Sequence, residues 1–184
     1  MLEYESPPIN PSMASRIVIK LGGGLITDKS SMKKFDSEAV ERVAETISSV
    51  IEIGIPAIIV HGAGSFGHLL AKEWSISGGV DQKIAEEQRM VIDQIRTDMR
   101  ELNGLVMDKF ADLKLESEGL PPSNWAIGTG SSFQGDITNF ERVPQEPIPV
   151  TFGDVVNTND SLEFGILSGD DLMVRLAREL EGSH

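Results

Sequence analysis

The sequence IVHGAGSFGHLLAKEW, from Ile59 to Trp74, is the stretch on which the fold assignment depends. A short apolar run ends at His61, small residues follow, and apolar residues then recur at helical spacing, so the stretch predicts a buried strand that turns into a helix. Such a turn can hold a phosphate, because glycines let backbone N–H groups approach an anion and a helix start carries partial positive charge. It can equally be a tight connection in which His61 and His68 only pack, and both interpretations stay open at this point.

The segment before this stretch shows the same alternation of strand and helix. RIVIKLGGG, residues 16–24, predicts a first strand that ends in a glycine loop. From Asp36 onward apolar residues fall on one helical face, with Asp36 as the N-cap and Gly54 near the end. IPAIIV, residues 55–60, predicts the second strand. This alternation indicates an α/β fold with a parallel sheet and right-handed crossovers.

The second half of the chain is less regular. Residues 81–116 have a long helical pattern, in which we expect a bend at Asn103–Gly104. Residues 121–149 predict irregular loops or a short hairpin. IPVTFGDVV (148–156) predicts a strand containing a turn, and LEFGIL (162–167) returns beside it as a hairpin. The last predicted helix follows SGDD (168–171), with Ser168 or Asp170 as its cap.

Composition excludes several classes of function. The chain has 184 residues, 40% of them hydrophobic, and a formal net charge of −13, which argues against nucleic-acid and anionic membrane partners. Four lysines nevertheless lie close together in the sequence, at positions 20, 29, 33 and 34, so a local anion site stays open. No segment approaches the roughly 20 apolar residues of a membrane helix.

The cysteine count and the two termini give further expectations. The absence of cysteine excludes disulfides and thiolate metal sites, and leaves the cytoplasm as the default location. Residues 1–15 lack the features of a signal peptide and are expected to form a disordered extension, with Met13 as an alternative start. Residues 181–184 are expected to be a tail or a cloning scar.

Three loops are candidates for the functional site because each follows an apolar strand. They are KLGGGLITDK, VHGAGSFGH and FGDVV, and in a parallel sheet they emerge at the same carboxyl edge, where ligands of such sheets bind. Neither glycine loop matches the Walker A or dinucleotide pattern. Lys20, at the end of an apolar strand, must either reach water along its stem or meet an anion.

The polar residues of these loops each have two interpretations. His61 is favoured as a neutral, hydrogen-bonded ring beneath its loop, whereas His68 either donates to a phosphate oxygen or lies on a helix surface. Asp170 is either part of an N-cap or a carboxylate that orients a lysine or a magnesium ion. Asp154 is open to the same two interpretations, with turn formation as the simpler one.

Four strings together resemble the amino acid kinase family, and within it the isopentenyl phosphate kinases. They are IVIKLGGGLITDKS, IIVHGAGSFGHLLA, PVTFGDVV and ILSGDDLMVRLA, in the family's order, and the resemblance covers about residues 16–180. GSFGH with a downstream SGDD is its most specific part, because relatives that phosphorylate amino acids generally lack that histidine. The resemblance implies a three-layer α/β/α sandwich with a mainly parallel central sheet, in truncated form, with residues 16–180 as the acceptor-binding half.

The resemblance also implies residue roles. The residues implied for the nucleotide phosphates are Lys20, Leu21, Gly22, Gly23 and Gly64. Those implied for the acceptor are Ala63, Gly64, His68, Gly153 and Gly169. Those implied for catalysis are Lys20, Lys29, His68 and Asp170. No metal ligand from the protein is implied, although the family uses ATP and magnesium and usually forms homodimers.

The resemblance implies phosphorylation of isopentenyl phosphate to the diphosphate. A phosphate acceptor is already largely dianionic, so the reaction needs cations and amides rather than a general base. The chain departs from the family in having Gly24 where a serine is usual, in a short 128–149 region, and in ending before the nucleotide-binding half. The last departure leaves open whether the fragment is active alone. The alternatives are a non-catalytic phosphate-binding or assembly module, and a kinase for another small phosphate or phosphonate.

Overall fold

The computed structural model describes residues 16–28, 31–181 and 183. The predicted N-terminal extension and Lys29 lie outside the described residues. The strands are β1 (Ile17–Leu21), β2 (Ala57–His61), β3 (Ser117–Gly119), β4 (Ile148–Phe152), β5 (Asp154–Asn157) and β6 (Phe164–Leu167). The helices are α1 (Gly23–Ile26), α2 (Ser37–Glu52), α3 (Gly64–Glu73), α4 (Ala85–Asp112) and α5 (Gly169–Glu179).

A parallel sheet forms the centre of the fold. Its strand order is β1-β2-β4-β3, and every neighbouring pair is parallel. Side chains of a strand alternate between the two faces. Accordingly Ala57 and Ile59 of β2 join a core with α2, α3 and α4, whereas Ile58 and Val60 join a second core with α5. The predicted α/β fold with a mainly parallel central sheet is confirmed.

Helix α2 forms as its sequence predicts. The Asp36 carboxylate accepts a hydrogen bond from the backbone N–H of Ala39, which satisfies one of the unpaired donors at the helix start. Val40 and Ile47 are fully buried. Gly54, just beyond the helix, has a φ of 84°, a left-handed conformation that glycine adopts without strain.

Helix α4 is a single helix of 28 residues, which makes it about 42 Å long at roughly 1.5 Å per residue. It begins at Ala85 rather than at Asp81, and it continues through Asn103 and Gly104 without interruption. A helical glycine costs about 1 kcal/mol. The complete burial of Leu102 and Val106 on either side of this pair outweighs that cost.

The remaining segments agree with the sequence in part. Of residues 121–149, the last two belong to β4, and the others are irregular apart from one-turn 3₁₀ helices at Pro122–Asn124 and Thr138–Phe140. The predicted strand 148–156 divides at Gly153 into β4 and β5, and β5 pairs antiparallel with β6 as predicted. Strand β3 and the helical turn α1 were not predicted. Within the described residues, no helix is both long and apolar enough to cross a membrane.

Candidate functional site

The carboxyl ends of β1, β2 and β4 lie side by side. The backbone N–H of Gly62 donates to the Leu21 carbonyl at 3.0 Å, and that of Gly153 donates to the His61 carbonyl at 3.0 Å. These two bonds join the starts of all three candidate loops. The loops therefore share one edge of the sheet, as the parallel topology predicts.

The two glycine loops touch through their backbones. A β-carbon on Gly23 would lie 2.3 Å from the Gly64 nitrogen, and one on Gly62 would lie 2.7 Å from the Gly23 nitrogen. Gly64 also has a φ of 50°. A larger residue at Gly23 or Gly62 would force these loops apart, so the sequence needs glycine there for close approach and not only for flexibility.

A threonine connects the same two loops, and sequence reasoning missed it. The Thr27 hydroxyl donates to the Gly23 carbonyl at 2.7 Å and accepts from the Ser65 N–H at 2.9 Å. The Ser65 N–H, in the first turn of α3, is thus already used within the protein. The only local signal is that Thr27 lies four residues after Gly23, the spacing of one helical turn.

Two cavities open beside these loops. The first, the cradle cavity, measures about 390 Å³ and is lined by residues that include Gly23, Gly24, Ala63, Gly64, Ser65 and His68. The second, the apolar cavity, measures about 160 Å³ and is walled by side chains that include Ala71, Ile95, Met99, Val155 and Ile166. Ala63 and His68 line both cavities. Gly153 and Gly169 line the apolar cavity and Gly64 lines the cradle cavity, so each of the five predicted acceptor residues lines at least one of the two.

The His68 ring is exposed on α3 where the cavities adjoin. Within the part of the chain that the structure describes, no group hydrogen-bonds to this ring. Its N–H is therefore available to an anion in the cradle cavity.

Lys20 reaches the same edge of the sheet from β1. Its Nζ lies 2.5 Å from Asp170 Oδ1, and its Cε would lie 3.7 Å from a β-carbon on Gly169. Ser168, rather than Asp170, caps α5, because its hydroxyl accepts from the Asp171 N–H. The Asp170 carboxylate does not cap the helix and instead pairs with the Lys20 ammonium. This contact agrees with the interpretation of Asp170 as a carboxylate that orients a lysine.

Three of the predicted nucleotide residues line neither cavity: Lys20, Leu21 and Gly22. The Leu21 side chain is 1% exposed in the core, and its carbonyl is taken by the Gly62 N–H. Gly22 lines neither cavity, and a β-carbon there would meet no atom within 4 Å. The Leu21 side chain is therefore too buried to contact a nucleotide directly.

His61 lies beneath the loop and is fully buried. Its Nε2 is 3.1 Å from Asn103 Oδ1, its Nδ1 is 3.2 Å from the Gly62 carbonyl oxygen, and its ring stacks on Phe152. Burial disfavours the charged ring and lowers its pKa to about 4. The hydrogen bonds to the Gly62 and Asn103 oxygens raise the pKa, but by less than burial lowers it. The predicted neutral, structural histidine is confirmed, and it donates its single N–H to one of the two oxygens.

The Asp154 carboxylate is buried and hydrogen-bonded to the backbone. Its carboxylate accepts hydrogen bonds from the backbone N–H of Ser123 at 3.0 Å and of Val155 at 2.8 Å. The residue is 3% exposed. These bonds hold the start of β5 against the turn at Pro122–Asn124, so the simpler of its two interpretations is the one the structure supports.

Comparison with known proteins gives one consistent result. The model of the amino acid kinase family matches residues 15–183 of the chain. Isopentenyl phosphate kinase of Thermoplasma acidophilum is 30% identical over 166 residues, and that of Methanocaldococcus jannaschii is 28% identical over 171 residues. These alignments cover 90% and 89% of this chain, but 63% and 65% of the relatives.

Solved structures agree with the sequence comparison. A crystal structure of an isopentenyl phosphate kinase superposes with a TM-score of 0.77 at 30% identity, over 86% of this chain and 65% of that one. Aspartate kinase from Synechocystis superposes with a TM-score of 0.58 at 15% identity, over 89% of this chain and 26% of that one, which shows a shared fold only. The chain spans less than two thirds of the length of the isopentenyl phosphate kinases it matches.

Proposed function

Because the chain belongs to the amino acid kinase family, we propose that it carries the acceptor-binding half of an isopentenyl phosphate kinase. The proposed reaction of the complete enzyme transfers the γ-phosphoryl group of ATP to isopentenyl phosphate and yields isopentenyl diphosphate and ADP. The curated relatives named above support this choice, since they are isopentenyl phosphate kinases.

The observation that carries the proposal is that Ala63 and His68 line both cavities. An acceptor phosphate in the cradle cavity would meet His68, and its hydrocarbon tail would enter the apolar cavity. A volume of about 160 Å³ suits a short chain rather than a drug-sized ligand, whose pockets measure roughly 300–1,000 Å³.

The proposed chemistry needs positive charge and alignment. An oxygen of the acceptor phosphate attacks the γ-phosphorus, a new P–O bond forms, the bond from the γ-phosphorus to the bridging oxygen breaks, and ADP leaves. No proton has to be removed from a dianionic acceptor. Lys20 and His68 would lower the repulsion between the two phosphates, with Asp170 holding Lys20 in place. Lys29 is proposed, from the family resemblance, to stabilise the transferring group.

Magnesium is proposed as a companion of ATP. The described residues contain no group of three acidic or histidine side chains that could hold a metal ion. The proposal needs no such group, because Mg²⁺ in phosphoryl transfer keeps several waters and binds largely through substrate phosphates. When bound, it would neutralise charge on the β- and γ-phosphate oxygens.

Two measurements test the proposal: calorimetric binding of isopentenyl phosphate and release of ADP in a coupled assay. His68→Ala should weaken binding roughly tenfold to a hundredfold, the range expected for hydrogen bonds to a charged group. Lys72→Met is the matched control, since it removes an exposed charge of the same helix outside both cavities. Equal affinity of wild type and His68→Ala would contradict the proposal.

A second candidate is a module that binds phosphate without transferring it. Tight binding of isopentenyl phosphate without ADP release would support this module. A binding panel of small phosphates and phosphonates tests whether the acceptor is another compound of this class.

A homodimer and a cytoplasmic location stay predictions, of which the first is tested by sedimentation of the purified chain.

A further inference from the structure

We propose that Lys33 and Asp98 form a positioning pair that fixes the first turn of α3 at the candidate site. Neither side chain lines the two cavities. The pair acts through Ser65, which does line the cradle cavity. Only the ligand-binding consequence of this inference rests on the proposed function.

The first observation is a buried carboxylate with an exposed cation as its partner. The Asp98 side chain is 2% exposed on α4, and the Lys33 Nζ lies 2.6 Å from its Oδ1. Gln94 also donates to the same oxygen at 2.6 Å, and Glu101 accepts from Lys33 at 3.0 Å. A buried carboxylate is costly unless a positive charge and hydrogen bonds compensate it, so Asp98 holds the Lys33 ammonium in one place.

The second observation is the backbone of Lys33. Its φ is 51°, a conformation that non-glycine residues rarely adopt and keep only where contacts hold them. Its N–H donates to the Ser65 carbonyl at 3.3 Å, and the next N–H, of Lys34, donates to the Ser65 hydroxyl at 3.3 Å. Anchoring the Lys33 side chain on α4 thus presents two consecutive N–H groups to Ser65.

Ser65 passes this restraint to the glycine loops. It is buried in the first turn of α3, its N–H donates to Thr27, and Thr27 donates to the Gly23 carbonyl. Continuous contacts therefore run from Asp98 through Lys33 and Ser65 to Gly23. Lys34 differs, because its ammonium pairs at the surface with Asp28, and 60% of its side chain is exposed.

The test compares the ligand-free wild type with Lys33→Met, Lys33→Arg, Asp98→Asn and the double variant Lys33→Met/Asp98→Asn. Lys34→Met is the matched control. The main readout is NMR-detected hydrogen exchange of the Ser65 amide, with the Leu102 and Ile47 amides as references in α4 and α2. Thermal unfolding is measured in parallel.

Lys33→Met should speed Ser65 exchange at least tenfold and lower the Tm, because it leaves the Asp98 charge uncompensated. The double variant removes that charge, so its Tm should recover while Ser65 exchange stays fast. Lys33→Arg should restore part of the protection, and Lys34→Met should have no effect. If Lys33→Met does not fold, Ser65 exchange in the double variant and in Asp98→Asn decides whether the pair positions Ser65.

Wild-type protection of Ser65 in the double variant would overturn the inference, since Lys33 would then serve stability alone. Isopentenyl phosphate binding is the second readout, with an expected loss of about tenfold in the double variant. Failure of the wild type to bind this ligand would refute the proposed function, whereas Ser65 exchange would still decide the positioning role.

Discussion

The ammonium nitrogen of Lys20 lies 2.5 Å from Oδ1 of Asp170, although 150 positions separate the two residues in the chain. The contact joins the end of β1 to the first turn of α5. Solvent reaches both partners, with 33% of the Lys20 side chain and 77% of the Asp170 side chain exposed. Exposed ion pairs contribute little to stability, so the significance of this pair lies in where it holds the lysine.

Removing either partner should therefore change anion binding more than stability. Lys20→Met should weaken phosphate binding about tenfold, within the range for charge-assisted hydrogen bonds. Asp170→Asn should raise that affinity, because it frees the ammonium, while it lowers turnover wherever turnover is measurable. Calorimetry and thermal unfolding check this, with Asp112→Asn of the exposed Lys109–Asp112 pair as the control. A large loss of Tm in Asp170→Asn would contradict it.

Gly23 and Gly22 are adjacent but should respond differently to alanine. A β-carbon on Gly23 would overlap the backbone of Gly64, whereas Gly22 has a φ of −59° and open space. Gly23→Ala should lower the free energy of unfolding by about 1–3 kcal/mol, the usual cost of overpacking, or more if the loops cannot separate. Gly22→Ala should be neutral or slightly stabilising. Urea unfolding of both variants measures the difference, and equal effects would show that the loops are not in contact.

The size of the apolar cavity should depend on Gly67. A β-carbon there would lie 3.0 Å from Met99 Sδ and 3.4 Å from Ala63 Cβ. Gly67→Ala should weaken binding of isopentenyl phosphate several-fold but leave inorganic phosphate unaffected, because it narrows the space for the tail only. Gly104→Ala is the control, since it adds the same methyl group to a helix where nothing lies within 4 Å. Parallel loss for both ligands would exclude this cavity as the tail site.

The burial of His61 predicts a specific pH dependence of stability. The ring has a pKa of about 4 in the folded chain against an ordinary value of 6.5, so the unfolded chain binds the extra proton first. Stability from the neutral ring is therefore complete above pH 6.5 and is lost as the pH falls toward 4, by about 3 kcal/mol in total.

Urea unfolding of wild type and His61→Gln between pH 4 and pH 7 tests this dependence. The stability advantage of the wild type should shrink as the pH falls, while the carboxylates common to both proteins cancel in the comparison. An advantage that does not change with pH would mean that His61 is not held neutral by burial.

The fold was largely predictable because its central strands carry strong local patterns. β1 and β2 are short β-branched runs followed by glycine, and α2 has both a cap and an apolar face. β3 has neither, since Ser117–Gly119 is short and polar and becomes a strand only by pairing with β4. The family membership implied by the motifs is confirmed by the match over residues 15–183.

The candidate site was predictable where it depends on topology and not where it depends on side-chain contacts. Ala63, His68 and Gly153 meet because strands of a parallel sheet end at one edge. The antiparallel β5–β6 hairpin returns Gly169 to the same edge. The pair of Lys33 and Asp98 could not be found in this way. An aspartate within a charged, amphipathic helix looks like a surface residue, and only the packing of α4 against its neighbours shows that it is buried.

Gly153 is the single residue between β4 of the parallel sheet and β5 of the hairpin. Its N–H donates a hydrogen bond to the His61 carbonyl. A β-carbon on Gly153 would lie 3.3 Å from the Gly169 nitrogen. Inserting a residue at this junction would displace the hairpin relative to the parallel sheet and separate the wall of the apolar cavity from the two glycine loops. Under the proposed function, a longer or shorter acceptor would therefore be accommodated by exchanging side chains that line the apolar cavity, such as Val155 and Ile166, at constant connection length.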